Sequence, residues 1–187
     1  MNYHKPKILA VIDVQRDFCD PSGSLYVDGS ETLPPKIAGI SSKYDGIIFT
    51  LDWHPADHCS FVEHGGLWPS HCVAYTQGAG LPDLFSLILE RGREDVCLHL
   101  KGQDREREQY GAFEHLSQGS TEYCWLASCE SVDVCGIAGD FCVKESTANI
   151  LKIVPAQKVG IIMDCVRSID GGAALEKFIK ENRITKK

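Results

Sequence analysis

Apolar and polar positions along the chain alternate between two rhythms. Five short runs carry apolar residues on both faces: 7–13 (KILAVID), 46–51 (GIIFTL), 96–101 (VCLHLK), 132–138 (VDVCGIA) and 158–163 (KVGIIM). Their length, their β-branched content and their lack of regular polar alternation predict strands buried on both sides. Segments near 32–42, 82–91, 122–128, 141–153 and 172–182 lie between or after these runs and carry helical character. Doubly buried strands separated by helices predict an α/β fold, a three-layer doubly wound sheet, mostly parallel. A length of 187 residues suits one domain spanning 1–187, with no internal repeat. Two long irregular stretches remain, 52–80 and 102–120. Loops of that length in a compact domain are usually functional or disordered, and the Trp, His and Cys of the first favour function.

The polar residues fall where the apolar runs stop. Asp13 closes the first run, Asp52 follows the second, and Lys101 closes the third. Cys142 opens the helix after the fourth run, and Asp164 follows the fifth. In open parallel sheets the ligand crevice lies outside the carboxyl ends of the strands, so these groups are expected on one rim. Taken singly, an Asp after a strand is more often a cap or turn residue, and a terminal Lys a solvated charge. Their coincidence on one edge is what points to chemistry. Cys142 lies in GIAGDFCVKESTANI, where a strand passes into a helix. A thiol there is expected to gain thiolate character from the helix N–H groups, which could also cradle an oxyanion. The plain alternative is an inert buried cysteine.

The first long stretch reads DWHPADHCSFVEHGGLWPSHC. Asp52 and His54 are two apart and share a face of extended chain, and His71 returns after a Gly-Gly turn and Trp-Pro. One carboxylate and two imidazoles form a reasonable set for zinc, manganese or iron. His58, Glu63 and His64 are further candidates, and spacing does not choose among them.

Composition narrows the classes. Hydrophobic residues make up 43% and charged residues 24%, ordinary for a globular protein. The formal charge is −7 and the basic residues are scattered, which argues against nucleic acid as a partner. No apolar stretch approaches the roughly 20 residues of a membrane span. The opening apolar run is cut at Asp13, so it makes a poor secretory leader. Nine cysteines, an odd number without a C-x-x-C pair, weaken both a zinc ribbon and a thioredoxin-like centre. The economical expectation is reduced thiols in a cytoplasmic protein.

Together the motifs resemble the nicotinamidase/pyrazinamidase branch of the isochorismatase-like cysteine hydrolases. The matching segments are DVQRDF, DWHPADHCSF, WPSHCV, the Lys101–Gly102 pair and GIAGDFCV, spread over about three quarters of the chain in the family's order. The resemblance implies an isochorismatase-like hydrolase fold and a triad of Asp13, Lys101 and Cys142. It implies one divalent metal, zinc before manganese or iron, on Asp52, His54 and His71, with His58 an added ligand in some members. It also implies a non-proline cis peptide between Ile137 and Ala138, and oxyanion donors in the backbone N–H groups of Ala138 and Cys142. Phe18 and Trp68 would wall the substrate ring, although core packing explains an aromatic as readily. Phe141 stands beside the thiol where other members carry Tyr or His, and Gly111 where many carry a small polar residue. The tail ENRITKK is short for the family's last strand, which is expected to be minimal or absent.

The implied activity is hydrolysis of nicotinamide, and of pyrazinamide, to the acid and ammonia through a cysteine thioester. The partner is then a small molecule. Homo-oligomers occur in such a family, though no interface signature is visible in the sequence. One rival is a related cysteine amidohydrolase for another small carboxamide or carbamoyl substrate. A rival of a different class is a metal-binding or thiol-redox protein without hydrolase activity.

Overall fold

Six strands, all paired in parallel, form one sheet in a computed structural model that describes residues 5–92 and 94–187. They are β1 (Lys7–Ile12), β2 (Gly46–Asp52), β3 (Val96–Lys101), β4 (Ser131–Ile137), β5 (Val159–Arg167) and β6 (Thr185–Lys186). The spatial order β3-β2-β1-β4-β5-β6 reverses direction of growth at β1, which is the doubly wound arrangement. The crevice at such a reversal, between the carboxyl ends of β1 and β4, is where ligands bind in folds of this kind.

The helices are α1 (Arg16–Cys19), α2 (Leu33–Ile40), α3 (Ser86–Leu89), α4 (Thr121–Ser128), α5 (Lys144–Ile150) and α6 (Ala173–Asn182). Strand pleating sorts the central side chains onto two cores. Ile8, Ala10 and Ile12 of β1 pack with Leu126 of α4, Ile150 of α5 and Leu175 and Ile179 of α6. Leu9 and Val11 face the other way and pack with Leu33 and Ile37 of α2, Ile88 of α3 and Phe85 just before it. The result is the expected three-layer α/β fold. Local chemistry sets several helix ends. The Ser120 hydroxyl accepts the N–H of Tyr123 at 3.2 Å and so caps α4, and prolines occupy the first turn of α2. No helix among the described residues is long and apolar enough to cross a membrane.

Several boundaries move from those expected. The 82–91 segment is only a 3-10 turn, Asp83–Phe85, running into α3. Ahead of α5 lies a π-helical turn, Gly139–Val143. The fifth strand runs four residues past its apolar core, because the pairing with β4 jumps from Val134↔Ile161 to Gly136↔Val166. Asp164 therefore lies inside β5 and is exposed; it is not at the rim. The tail does form a strand, two residues long.

Candidate active site

The rim is assembled from strand ends. At the end of β1 the chain turns sharply through Asp13, whose φ of 49° lies in a region seldom occupied by a residue with a side chain. Its carboxylate is fully buried and accepts the Thr50 hydroxyl of β2 at 2.6 Å. Lys101, the last residue of β3, brings its Nζ to 3.0 Å from Asp13 Oδ2 and 2.5 Å from Asp52 Oδ1. The same ammonium lies 3.5 Å from Cys142 Sγ and donates to the Gln109 carbonyl at 3.2 Å. Oxygens of Asp13 and Asp52 and the sulfur of Cys142 lie within 4.8 Å of one another. The expected acid, amine and thiol thus converge, with Asp52 joined to them.

Burial decides the electrostatics. It pushes Asp13 up, and although Lys101 pulls back, the neighbouring Asp52 adds to the rise. Burial would raise Asp52 too, but there Lys101 and His54 prevail and hold the carboxyl well below the usual range. Burial opposes the Lys101 charge, yet Asp13 and Asp52 lift its pKa well above that of free lysine. Cys142 departs from the sequence expectation. Burial raises its pKa well above that of a free thiol; Lys101 opposes the shift, and the two carboxylates reinforce it. The π-helical turn does not offset this, since desolvation and two like charges outweigh a helix terminus. Burial thus works against a resting thiolate.

The second cluster adjoins the first. His54 and His71 each place Nδ1 2.8 Å from a backbone carbonyl, of Gly102 and Pro69. With Nδ1–H donated there, the Nε2 lone pairs are free to face an ion, the usual orientation of a metal-binding imidazole. One ligand atom each from Asp52, His54 and His71 lies within 4.8 Å of the others, and all three residues are buried. The donor set therefore fits a divalent cation. Gly102 makes the approach possible, since a Cβ there would stand 2.4 Å from His54 Cε1. His58 adjoins this cluster. Its ring stacks on His54 at 4.1 Å, with Nδ1 2.7 Å from Ser60 Oγ and Nε2 3.1 Å from the Arg107 carbonyl. Glu63 and His64 are exposed on a 3-10 turn.

The two long stretches clasp each other over the rim. Cys59 N–H donates to the Arg105 carbonyl at 2.8 Å, and Trp68 Nε1 to the Tyr110 hydroxyl at 3.1 Å. Beneath them a pocket of about 420 Å³, including its open mouth, is lined by Phe18, Trp68, Ala138, Phe141 and Cys142, with Asp52 and His71. Trp68 meets Phe141 edge-on at 5.2 Å, and Phe18 lies 5.4 Å from His71. The Ile137–Ala138 peptide at the end of β4 is cis, and Ala138 lines the pocket together with Cys142.

Sequence reasoning missed other members of the wall: Leu25, Val27, Glu108, Tyr110 and Ile169. It also missed Gln15, whose side-chain amide bonds the Asp52 N–H, the Asp52 carbonyl and the Ala79 carbonyl, each at 2.8 Å. Gln15 belongs to the DVQRDF motif, and its place just past the end of the first apolar run was the available signal.

The doubly wound parallel sheet with a buried thiol, carboxylate and amine at its switch point matches the isochorismatase-like hydrolase fold that the motifs imply. No family model matches the chain. It is 33% identical to the nicotinamidase of Acinetobacter baylyi, over 92% of this chain and 86% of that protein. It is 32% identical to the nicotinamidase/pyrazinamidase of Mycobacterium tuberculosis, over 92% and 94%. Among solved structures, PnC1 of L. infantum in complex with nicotinate superposes with a TM-score of 0.84 at 30% identity, covering 98% of this chain and 92% of that one. The pyrazinamidase of Pyrococcus horikoshii in complex with zinc gives a TM-score of 0.78 at 31% identity, covering 97% and 98%. The chain belongs to the nicotinamidase/pyrazinamidase family.

Proposed function

We propose that this protein hydrolyses nicotinamide, and pyrazinamide with it, to the carboxylic acid and ammonia through a thioester on Cys142. The observation that carries the reading is the buried contact of Cys142 Sγ with Lys101 Nζ, itself 3.0 Å from Asp13. Because burial disfavours the free thiolate, proton removal accompanies attack. Asp13 takes the Cys142 proton as sulfur adds to the carboxamide carbon, a role its raised pKa suits. Lys101 stays charged throughout, offsets the negative charge forming on sulfur and holds Asp13 in place. The Ala138 and Cys142 N–H groups receive the oxyanion. Asp13 then returns the proton to the departing nitrogen, and ammonia leaves the thioester. Water gives a proton to Asp13 and attacks the thioester carbon. The acid leaves, and the proton goes back to sulfur.

Phe18, Trp68 and Phe141 sandwich the ring, with Tyr110 completing the wall. Asp52, His54 and His71 would hold a divalent ion, zinc first, which supplies positive charge for the ring nitrogen. The zinc in the Pyrococcus horikoshii relative and the nicotinate in the L. infantum relative support this division of the pocket. Nine free cysteines suit a reducing compartment such as the cytoplasm.

Ammonia release from nicotinamide tests the reading. Cys142→Ala should lower turnover by about 10⁴-fold or more while leaving bound metal unchanged. Retention of a tenth of the activity would remove Cys142 from its role. Chelation should raise KM more than it lowers kcat, and an unchanged KM in stripped enzyme would refute the contact between ring and metal.

A further inference from the structure

The residues that make the pocket come from strand ends, the two long loops and the segment 18–27, with one exception. Ile169 lies beyond β5, in the turn that leads to α6, and lines the pocket all the same. Of the lining side chains it alone is exposed, at 52%, so it stands at the mouth. Leu25 and Val27 are the other aliphatic lining residues reached from outside the two long loops.

An exposed turn could not set the width of a mouth unless something fixed it. Two independent features do so. The buried carboxylate of Asp140 accepts the N–H of Ile169 at 3.0 Å on one oxygen and that of Asp170 at 3.1 Å on the other. Asp140 sits two residues before Cys142, within the same π-helical turn. Gly139 allows the two segments to touch, because a Cβ there would lie 2.1 Å from Ser168 Oγ. The Asp170 carboxylate in turn accepts the N–H groups of Gly172 and Ala174 at 2.8 Å, anchoring the far side of the turn to α6. The mouth is therefore built on the segment that carries the thiol.

We propose that Ile169 determines substrate specificity by limiting what a pyridine carboxamide can carry at the ring position facing the mouth, and that Asp140 is the positioning residue that holds it there. The inference rests on the deamidase reading. With the ring nitrogen toward Asp52, His54 and His71 and the carboxamide on Cys142, the carbon between those two ring positions faces the inner wall. The carbon opposite it, C5, then faces outward. A branched aliphatic side chain at that point rejects added alkyl groups by contact, and hydrophobic pockets discriminate at roughly 10–200-fold per added or missing group of this size.

The experiment compares nicotinamide with 5-alkyl nicotinamides of increasing length, reading kcat/KM by ammonia release. Alongside it, binding of the matching 5-alkyl nicotinic acids is followed by tryptophan fluorescence. Ile169→Ala should raise the 5-propyl to unsubstituted ratio by about tenfold or more in both assays. Asp140→Asn, which keeps size but removes one acceptor, should move the ratio in the same direction by a smaller factor. An unchanged ratio in Ile169→Ala overturns the specificity role. A fall in kcat for Asp140→Asn with the ratio unchanged overturns the positioning role. A wild type that binds the acids and shows the Ile169 effect but releases no ammonia would refute the activity and sustain the mouth. A wild type that binds none of the acids refutes both.

Discussion

Two buried carboxylates, Asp13 just past β1 and Asp133 on the neighbouring β4, each face a lysine, at opposite ends of the sheet. At the amino end, Lys187 Nζ lies 2.7 and 2.8 Å from the two oxygens of Asp133, and the Tyr44 hydroxyl donates to the same carboxylate at 2.7 Å. One acid meets one amine and one phenol, and the lysine is 44% exposed. At the carboxyl end, Lys101 is 1% exposed and answers two carboxylates and a thiol at once. The first set is balanced and partly in water, so it holds two elements together. The second carries more negative capacity than its single ammonium can offset. Its proton is therefore shared among groups with shifted affinities, which is what acid–base chemistry needs. Charge pairing alone distinguishes nothing here; stoichiometry and access to solvent do.

The sharpest way to break the comparison is to remove each lysine. Lys101→Met should abolish turnover and cost about 3–5 kcal/mol of stability, because Asp13 and Asp52 would stay buried without a counter-charge. Urea denaturation checks it, and an undiminished midpoint would mean that the cluster relaxes by binding a proton. Tyr44→Phe comes next, at about 1–2 kcal/mol, since it deprives a buried carboxylate of a donor. Activity there should follow the folded fraction only. Lys187→Met should have the smallest effect, under about 1 kcal/mol, because a partly exposed pair is screened. Should Lys187→Met cost as much as Lys101→Met, exposure would not be the distinction between the two ends.

Much of this arrangement was legible in the chain. Strands buried on both faces announce themselves as unbroken apolar runs, and the rule for parallel sheets then puts Asp13, Asp52, Lys101 and Cys142 on one edge. The failures have physical causes. Asp164 was misplaced because an irregularity in the pairing of β4 and β5 carries the strand past its apolar core, and pattern does not reveal a bulge. The upward shift of Cys142 comes first from burial and then from two carboxylates 90 and 129 positions away in sequence, which a local helix argument cannot weigh. Tyr110 and Ile169 reach the pocket by long-range closure of irregular segments, where periodicity is silent. His58, which spacing offers as a further ligand, adjoins the cluster with its ring on His54 and with Ser60 and the Arg107 carbonyl at its ring nitrogens.

The adjacency of Lys101 and Gly102 has a consequence for how this chain can change. The Lys101 side chain reaches the sulfur, and the Gly102 carbonyl orients His54, so two successive residues couple the two halves of the pocket. An extra residue inserted in β3 ahead of that pair would rotate the amine to the opposite surface of the sheet and dismantle both halves together. Added length after it, between Gln103 and Asp104, falls ahead of the Arg105 contact and enlarges only a surface excursion, at a cost that grows with the logarithm of the loop. Length variation in descendants of this sequence is thus channelled to one side of two adjoining residues.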